Sequence, residues 1–245
     1  MRKYVKHASN VNFRQATNPW LTSDHVKTTI VGDNLAFIGG MNIGREYRYD
    51  WHDLMMEVSG PVVDVLRKDF EAGWSHASVF GDLAYAIGRL IPYRERVPDT
   101  SVGHPMRVLH TKAGDSEIFR SQLAAIREAR RYIYIQNAYF SDDAILSELI
   151  AARRRGVDVR VIMPLRGNHG PLNQSNTLAA NAMMENGIRV FIYPGMSHIK
   201  AAIYDGWACL GSANFDKLSF RVNKETNLAT SHPEFVDQLL SLIHI

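Results

Sequence analysis

Apolar and polar positions fall into short runs whose character changes along the chain. From His25 to Met41, "HVKTTIVGDNLAFIGGM" sets two apolar runs around a Gly-Asp-Asn group, which predicts strand, turn, strand. "DLMMEVSG", Asp53 to Gly60, predicts a further strand. "PVVDVLRKDFEAGW" predicts a helix with Pro61 in its first turn. Later in the chain strands and helices alternate. "RVLHT", "YIYIQNAYF", "VDVRVIMP" and "IRVFIYP" read as strands, and "DSEIFRSQLAAIREARR", "DDAILSELIAARRRG" and "SNTLAANAMMENG" as the helices between them. "HIKAAIYDGWACLGSAN" is again strand, turn, strand with no helix inside, and "KETNLATSHPEFVDQLL" is strand then helix. Alternation of this kind predicts an α/β fold with a parallel-centred sheet covered on both faces.

Two of these stretches repeat one another. "HVKTTIVGDNLAFIGGMN" and "HIKAAIYDGWACLGSAN" each carry His-x-Lys, an apolar run, an Asp-containing turn, a second apolar run, then Gly-Gly or Gly-Ser, one residue, and Asn. An acid follows each: Asp53 lies 28 residues after His25, and Glu225 lies 27 after His198. Each acid is placed on a following strand, ahead of a helix that begins near Pro61 or Pro233. One His-x-Lys carries no signal; two, each with the same ordered residues downstream, indicate a structural duplication. Residues 92–107, "PYRERVPDTSVGHPMR", hold three prolines and a glycine and predict the connection between halves at 1–91 and 108–239.

The spacing carries chemistry. Side chains two apart on a strand share a face, so His25 and Lys27 project together, as do His198 and Lys200. Each hairpin returns Asn42 or Asn214 towards the start of its first strand. If the halves pack about a pseudo-twofold axis, the histidines face one another. Such a set suits a phosphodiester: one neutral imidazole attacks phosphorus and the other, protonated, serves the leaving alkoxide. Lys27, Lys200, Asn42 and Asn214 are the expected phosphate-binding groups, and no metal is required. Asp53 and Glu225 are expected to orient the imidazoles. Either acid could serve the histidine of either half.

The second motif continues to Asp205, five residues after Lys200. In the first motif Gly32 stands at that position and Asp33 follows. In both copies the Asp falls in the turn, where it is favoured for backbone reasons, so Asp205 is at once the motif's third member and a turn residue.

Composition narrows this only slightly. The 245 residues carry a net charge of +3 and are 46% hydrophobic, enough for a real core and a mild preference for anionic partners. A single cysteine, Cys209, excludes an intrachain disulfide. No run of about 18 apolar residues marks a membrane span, and the basic start lacks the apolar segment of a secretory signal. His7, His52, His76, His104, His110, His169, His232 and His244 show no metal spacing and read as surface or loop residues, with His52 of interest beside Asp53. The cationic end "ARRRG" reads as a solvated helix terminus, and "GNHGPLNQSN", Gly167 to Asn176, as a polar loop before a helix.

The paired motifs resemble those of the phospholipase D superfamily. Within it, "GGMNIGREY", "WHDLMMEVSGPVV" and "IQNAYFSDDAILSELIAARRRGVDVRVIMP" resemble bacterial cardiolipin synthases and their near relatives. The resemblance implies a duplicated α/β fold of two pseudo-symmetric halves, mixed sheets flanked by helices, with catalytic His25, Lys27, His198, Lys200 and Asp205 and no cofactor. It implies phosphatidyl transfer through a phosphohistidine, with cardiolipin made from phosphatidylglycerol. Phospholipase D hydrolysis, a nucleic-acid phosphodiesterase and a non-catalytic fragment stand as alternatives. The implied partners are a phospholipid and a membrane surface, at the bacterial inner membrane or its cytoplasmic face, and not nucleic acid. The first half lacks the strand-helix units that precede its motif in the family, so the chain is expected to be a fragment truncated at its N-terminus. The last six residues, "LSLIHI" (240–245), match the translation of a widely used transposon-end adapter and are expected to be non-native.

Overall fold

The computed structural model describes residues 9–14, 23–77, 103–112 and 114–243. Most of the expected connection, residues 92–102, and His7 and His244 lie outside them.

The first hairpin forms β1 (Thr28–Val31) and β2 (Leu35–Gly39), followed by a short helix α1 (Arg45–Tyr49) and β3 (Met55–Ser59). These three strands make an antiparallel sheet in chain order. Helix α2 (Pro61–His76) follows with Pro61 at its start. The rest of the chain is β4 (Arg107–Lys112), β5 (Asp115–Ser116), α3 (Glu117–Glu128), β6 (Tyr132–Asn137), α4 (Asp143–Arg154), β7 (Asp158–Pro164), α5 (Gly170–Glu185), β8 (Arg189–Tyr193), β9 (Lys200–Tyr204), β10 (Trp207–Gly211), α6 (Lys217–Arg221), β11 (Glu225–Thr230) and α7 (Pro233–Ile243). Their strands form one sheet in the order β5-β4-β11-β10-β9-β6-β7-β8. β6, β7 and β8 are parallel, as their helical crossovers demand, and every other pairing is antiparallel. The sheet is therefore mixed.

Both faces of its centre are buried. On β9 and β10, Ala202, Tyr204 and Cys209 join the core that Ile118, Ile126, Ile145, Leu149 and Met183 of α3, α4 and α5 also enter. Ala201, Ile203, Ala208 and Leu210 point the other way and meet Ala36, Ile38, Met56 and Val58 of the small sheet with Val236, Leu239 and Ile243 of α7. The second core crosses the duplication and holds the two halves together. Full burial on both sides explains why "KAAIY" lacks polar alternation. α7 runs on through Leu240 to Ile243, because apolar residues at helical spacing (Val236, Leu239, Ile243) continue the buried stripe.

Two expectations change. Helix α5 begins at Gly170, so seven of the ten residues of the expected polar loop at Gly167–Asn176 are helix. Its polar residues are used locally: Asn176 Oδ1 accepts from Phe140 N–H (2.8 Å) and its Nδ2 donates to Ala138 O (2.8 Å), pinning α5 to the end of β6. The His-x-Lys pairs also precede their strands rather than open them, except for Lys200. His25 and Lys27 stand on the lead-in to β1, and His198 on the lead-in to β9.

Candidate active site

Those lead-ins place the site. Asp24 bridges Lys224 in parallel, and Ser197 bridges His52 in parallel. His25 N–H donates to Lys224 O (2.9 Å) and Lys224 N–H to Ser23 O (2.9 Å). In the other copy His198 N–H donates to His52 O (2.7 Å) and His52 N–H to Met196 O (2.9 Å). The residue before each histidine is thus paired with the residue before the acid of the opposite half. Parallel pairing then carries the next residue of each strand, a histidine and an acid, forward side by side.

The side chains follow. His25 Nδ1 lies 3.0 and 2.9 Å from the two carboxylate oxygens of Glu225. His198 Nδ1 lies 2.7 Å from Asp53 Oδ2. Both acids are fully buried, so each carboxylate is an obligatory acceptor and fixes its imidazole with the proton on Nδ1, leaving Nε2 for chemistry. The acids therefore serve the histidines crosswise. Ser212, at the position matching Gly40, supports Glu225 by donating to Oε2 (2.6 Å). Gly40 is required beside Asp53: a Cβ there would lie 2.5 Å from Asp53 Oδ1.

Lys27 and Lys200 are both buried, and each Nζ donates to the carbonyl of its own histidine two residues back, at 2.6 Å in both copies. Loss of solvation pulls Lys27 from its usual 10.5 down to about 8, resisted by the charges of Glu225 and Asp53. The same loss pulls Lys200 down to about 7, with the positive charge of Lys27 adding to it. Burial also lowers His198 from 6.5 to about 4; its bond to Asp53 opposes the shift and Lys200 and Lys27 reinforce it. Such a cluster holds cations in need of an anion. His25 is the more open ring, 27% exposed against 7% for His198.

The asparagines differ. Asn214 is buried and its Oδ1 has no hydrogen-bond partner. Asn42 is exposed and its Nδ2 donates to Tyr47 OH (2.8 Å). Tyr47 in turn meets the His198 ring edge-on (centroids 5.3 Å), and Trp51 lies 5.6 Å from the same ring. The pair, four residues apart at the first half's α1, was not singled out from sequence; the i, i+4 aromatic spacing in "EYRYDW" was the available signal. Its counterpart α6 turns Phe220 into the core instead.

Asp205 stands apart from this group. It occupies the β9–β10 turn, roughly 17 Å along the strand from Lys200 by strand rise, with φ of 47°. Its carboxylate accepts backbone N–H groups of Arg130 (2.6 Å), Arg131 (3.0 Å) and Tyr132 (2.8 Å). Its place in a catalytic set is corrected accordingly: it has the geometry of a turn residue, because the hairpin carries it to the far end of β9. Gly32 holds the matching left-handed position (φ 59°), which explains the Gly-Asp order of the first motif. Asp33 points to solvent.

A family model described as the phospholipase D-like domain of cardiolipin synthase matches residues 123–244. Cardiolipin synthase A of Pseudomonas putida strain F1 is 34% identical over 96% of this chain and 47% of its own length. The chain belongs to the phospholipase D superfamily. Cardiolipin synthase of Listeria welshimeri is 32% identical over 88% of this phospholipase D-type chain and 46% of its own length. The chain thus spans about half the length of the curated relatives it matches. Nuc of Salmonella typhimurium, a phospholipase D family member, superposes with a TM-score of 0.50 at 26% identity, over 58% of this chain and 93% of its own. Phosphatidylserine synthase of Haemophilus influenzae shares the fold with a TM-score of 0.64 over 90% of this chain and 60% of its own, at 15% identity.

Proposed function

We propose that this site carries out phosphatidyl transfer between phospholipids, with phosphatidylglycerol as donor and acceptor and cardiolipin and glycerol as products. The observation that carries the proposal is the crosswise pairing of two histidines with two buried acids over two buried, charge-starved lysines. A phosphodiester monoanion matches that cluster in charge, and its non-bridging oxygens match the ammonium and carboxamide donors.

His25, the more open ring, attacks phosphorus through Nε2. The bond from phosphorus to the departing glycerol oxygen breaks, and that oxygen takes a proton from His198 Nε2. Burial, reinforced by the charges of Lys200 and Lys27, keeps His198 neutral in the free site; an anion among them offsets the lysine charges, so substrate raises its affinity for the proton. In the second step His198 removes the proton of the incoming hydroxyl, whose oxygen displaces His25 from phosphorus. With water as acceptor the same steps are phospholipase D hydrolysis. Neither step requires a metal from these residues.

The reverse division of labour has one observation in its favour: the resting His198 is neutral and so already nucleophilic. Intact mass measurement of the intermediate, followed by localisation to the peptide bearing His25 or His198, separates the two.

The names of the curated relatives, cardiolipin synthases, favour lipid over nucleic acid. Among the described residues no helix is long and apolar enough to cross a membrane. The proposed location is a bacterial membrane surface. The test is incubation with phosphatidylglycerol, phosphatidylcholine and single-stranded DNA in the presence of chelator. Cardiolipin formation is the expected result, and cleavage of DNA alone would overturn the proposal.

A further inference from the structure

Two histidines outside the active site meet at the opposite end of the large sheet. β11 leaves the active site at Glu225 and ends at Thr230, roughly 17 Å away by strand rise, where the chain turns into α7. His232 lies in that turn. His104 lies in the segment that leads into β4, the strand paired beside β11. The two imidazole centroids are 3.5 Å apart with the rings inclined at 43°. Glu234, in the first turn of α7, completes a group in which one ligand atom from each residue lies within 4.8 Å of the others.

The neighbouring backbone builds this approach. Thr230 Oγ1 donates to Pro105 O (2.7 Å) and accepts His232 N–H (3.1 Å), so one hydroxyl joins the residue after the first histidine to the second histidine itself. Each histidine precedes a proline, Pro105 or Pro233, which restricts its backbone to extended conformations and leaves less freedom to lose on ligation. Aromatic pairs ordinarily keep their centroids about 4.5–7 Å apart. These two rings stand closer than that, and their nitrogens reach one shared ion by small side-chain rotations.

We infer that His104, His232 and Glu234 bind a divalent transition metal, with zinc as the best match. Two imidazole nitrogens and a carboxylate oxygen are a zinc donor set, and water fills the fourth tetrahedral position. The ion clips the lead-in to β4, Gly103 to Met106, onto the β11–α7 turn. At the far end of β11 from Glu225 it takes no part in phosphoryl chemistry; its effect is on stability. His104 lies 128 residues before His232, which is why linear spacing gives no metal motif.

The test uses the 245-residue chain, stripped with chelator, dialysed and titrated with Co²⁺ as a spectroscopic probe for Zn²⁺. One equivalent should give the visible absorption of four-coordinate cobalt, Zn²⁺ should displace it, and Zn²⁺ should raise the melting temperature. His104→Ala and His232→Ala should each weaken binding about tenfold or more. Glu234→Gln, which keeps the side-chain shape at an exposed position, should weaken it in the same direction. His198→Ala should leave the cobalt spectrum unchanged, since the active-site imidazoles are the competing ligands. Absence of a one-equivalent cobalt signal would overturn the inference. So would a signal that survives His104→Ala and Glu234→Gln, or one that His198→Ala removes.

Discussion

Asp53 Oδ2 and His198 Nδ1 are 2.7 Å apart across 145 residues of chain, and they belong to opposite halves of the duplication. Glu225 and His25 repeat the relationship in the other sense, 200 residues apart. Neither half carries a complete acid–imidazole pair of its own.

This crosswise arrangement makes a specific mutational prediction. Asp53→Asn and Glu225→Gln remove the charge that fixes the Nδ1 proton, and each should lower turnover on the order of 10³-fold with little change in fold. The Nδ1–H resonances of the two rings, followed by NMR, assign the partners. Glu225→Gln should move the His25 signal and leave that of His198 nearly in place, and Asp53→Asn should do the opposite. Movement of the histidine in the same half would contradict the pairing.

The lysines predict a proton-linked affinity for phosphodiesters. In the free site Lys200 titrates at about 7 and Lys27 at about 8, both depressed by burial, so each is charged below that pH and loses its proton above it. A bound anion favours the charged form and raises both values. Binding should therefore take up protons at pH 8 and weaken as pH rises from 7 to 9. Dimethyl phosphate suits the measurement because its own charge is constant there. Calorimetry in buffers of different ionisation enthalpy should show net uptake in the wild type and less in Lys200→Met.

Tyr47 and Trp51 cover the His198 ring in the first half, with no counterpart from α6. Their position restricts water at the ring that, in the proposed mechanism, activates the acceptor. Tyr47→Ala and Trp51→Ala should raise the share of phosphatidic acid relative to cardiolipin by roughly several-fold. Tyr47→Phe, which loses only the bond to Asn42, should change the ratio less. Product ratios by lipid chromatography decide this.

The turn acids separate structure from chemistry. Asp205→Ala strands three backbone N–H groups at the α3–β6 junction and should cost roughly 1–3 kcal/mol of stability. Asp33→Ala, at a solvent-facing carboxylate, should stay within about 0.5 kcal/mol. Denaturant melts of the two variants test the contrast.

Much of this is legible in the sequence alone. The duplication, the α/β alternation and the residues His25, Lys27, Asn42, Asp53, His198, Lys200, Asn214 and Glu225 follow from local order along the chain. The crosswise pairing does not, because the spacing from histidine to acid is nearly equal in both copies and the choice is made by backbone bridges 145 to 200 residues apart. α1 and α6 are five residues each, too short for a period to show. The start of α5 was hidden because Asn173 and Asn176 spend their amides on loop backbone and so look like loop residues. The meeting of His104 with His232 depends on strand order, which places β4 against β11, and no linear spacing records it.

The shared two-histidine site stands or falls on turnover by the single variants. With phosphatidylglycerol and chelator, His25→Ala and His198→Ala should each abolish cardiolipin formation while keeping the folded spectrum, since in the proposed mechanism one ring attacks and the other moves the proton in a single sequence. Full activity in either variant would show that one histidine suffices and would contradict it.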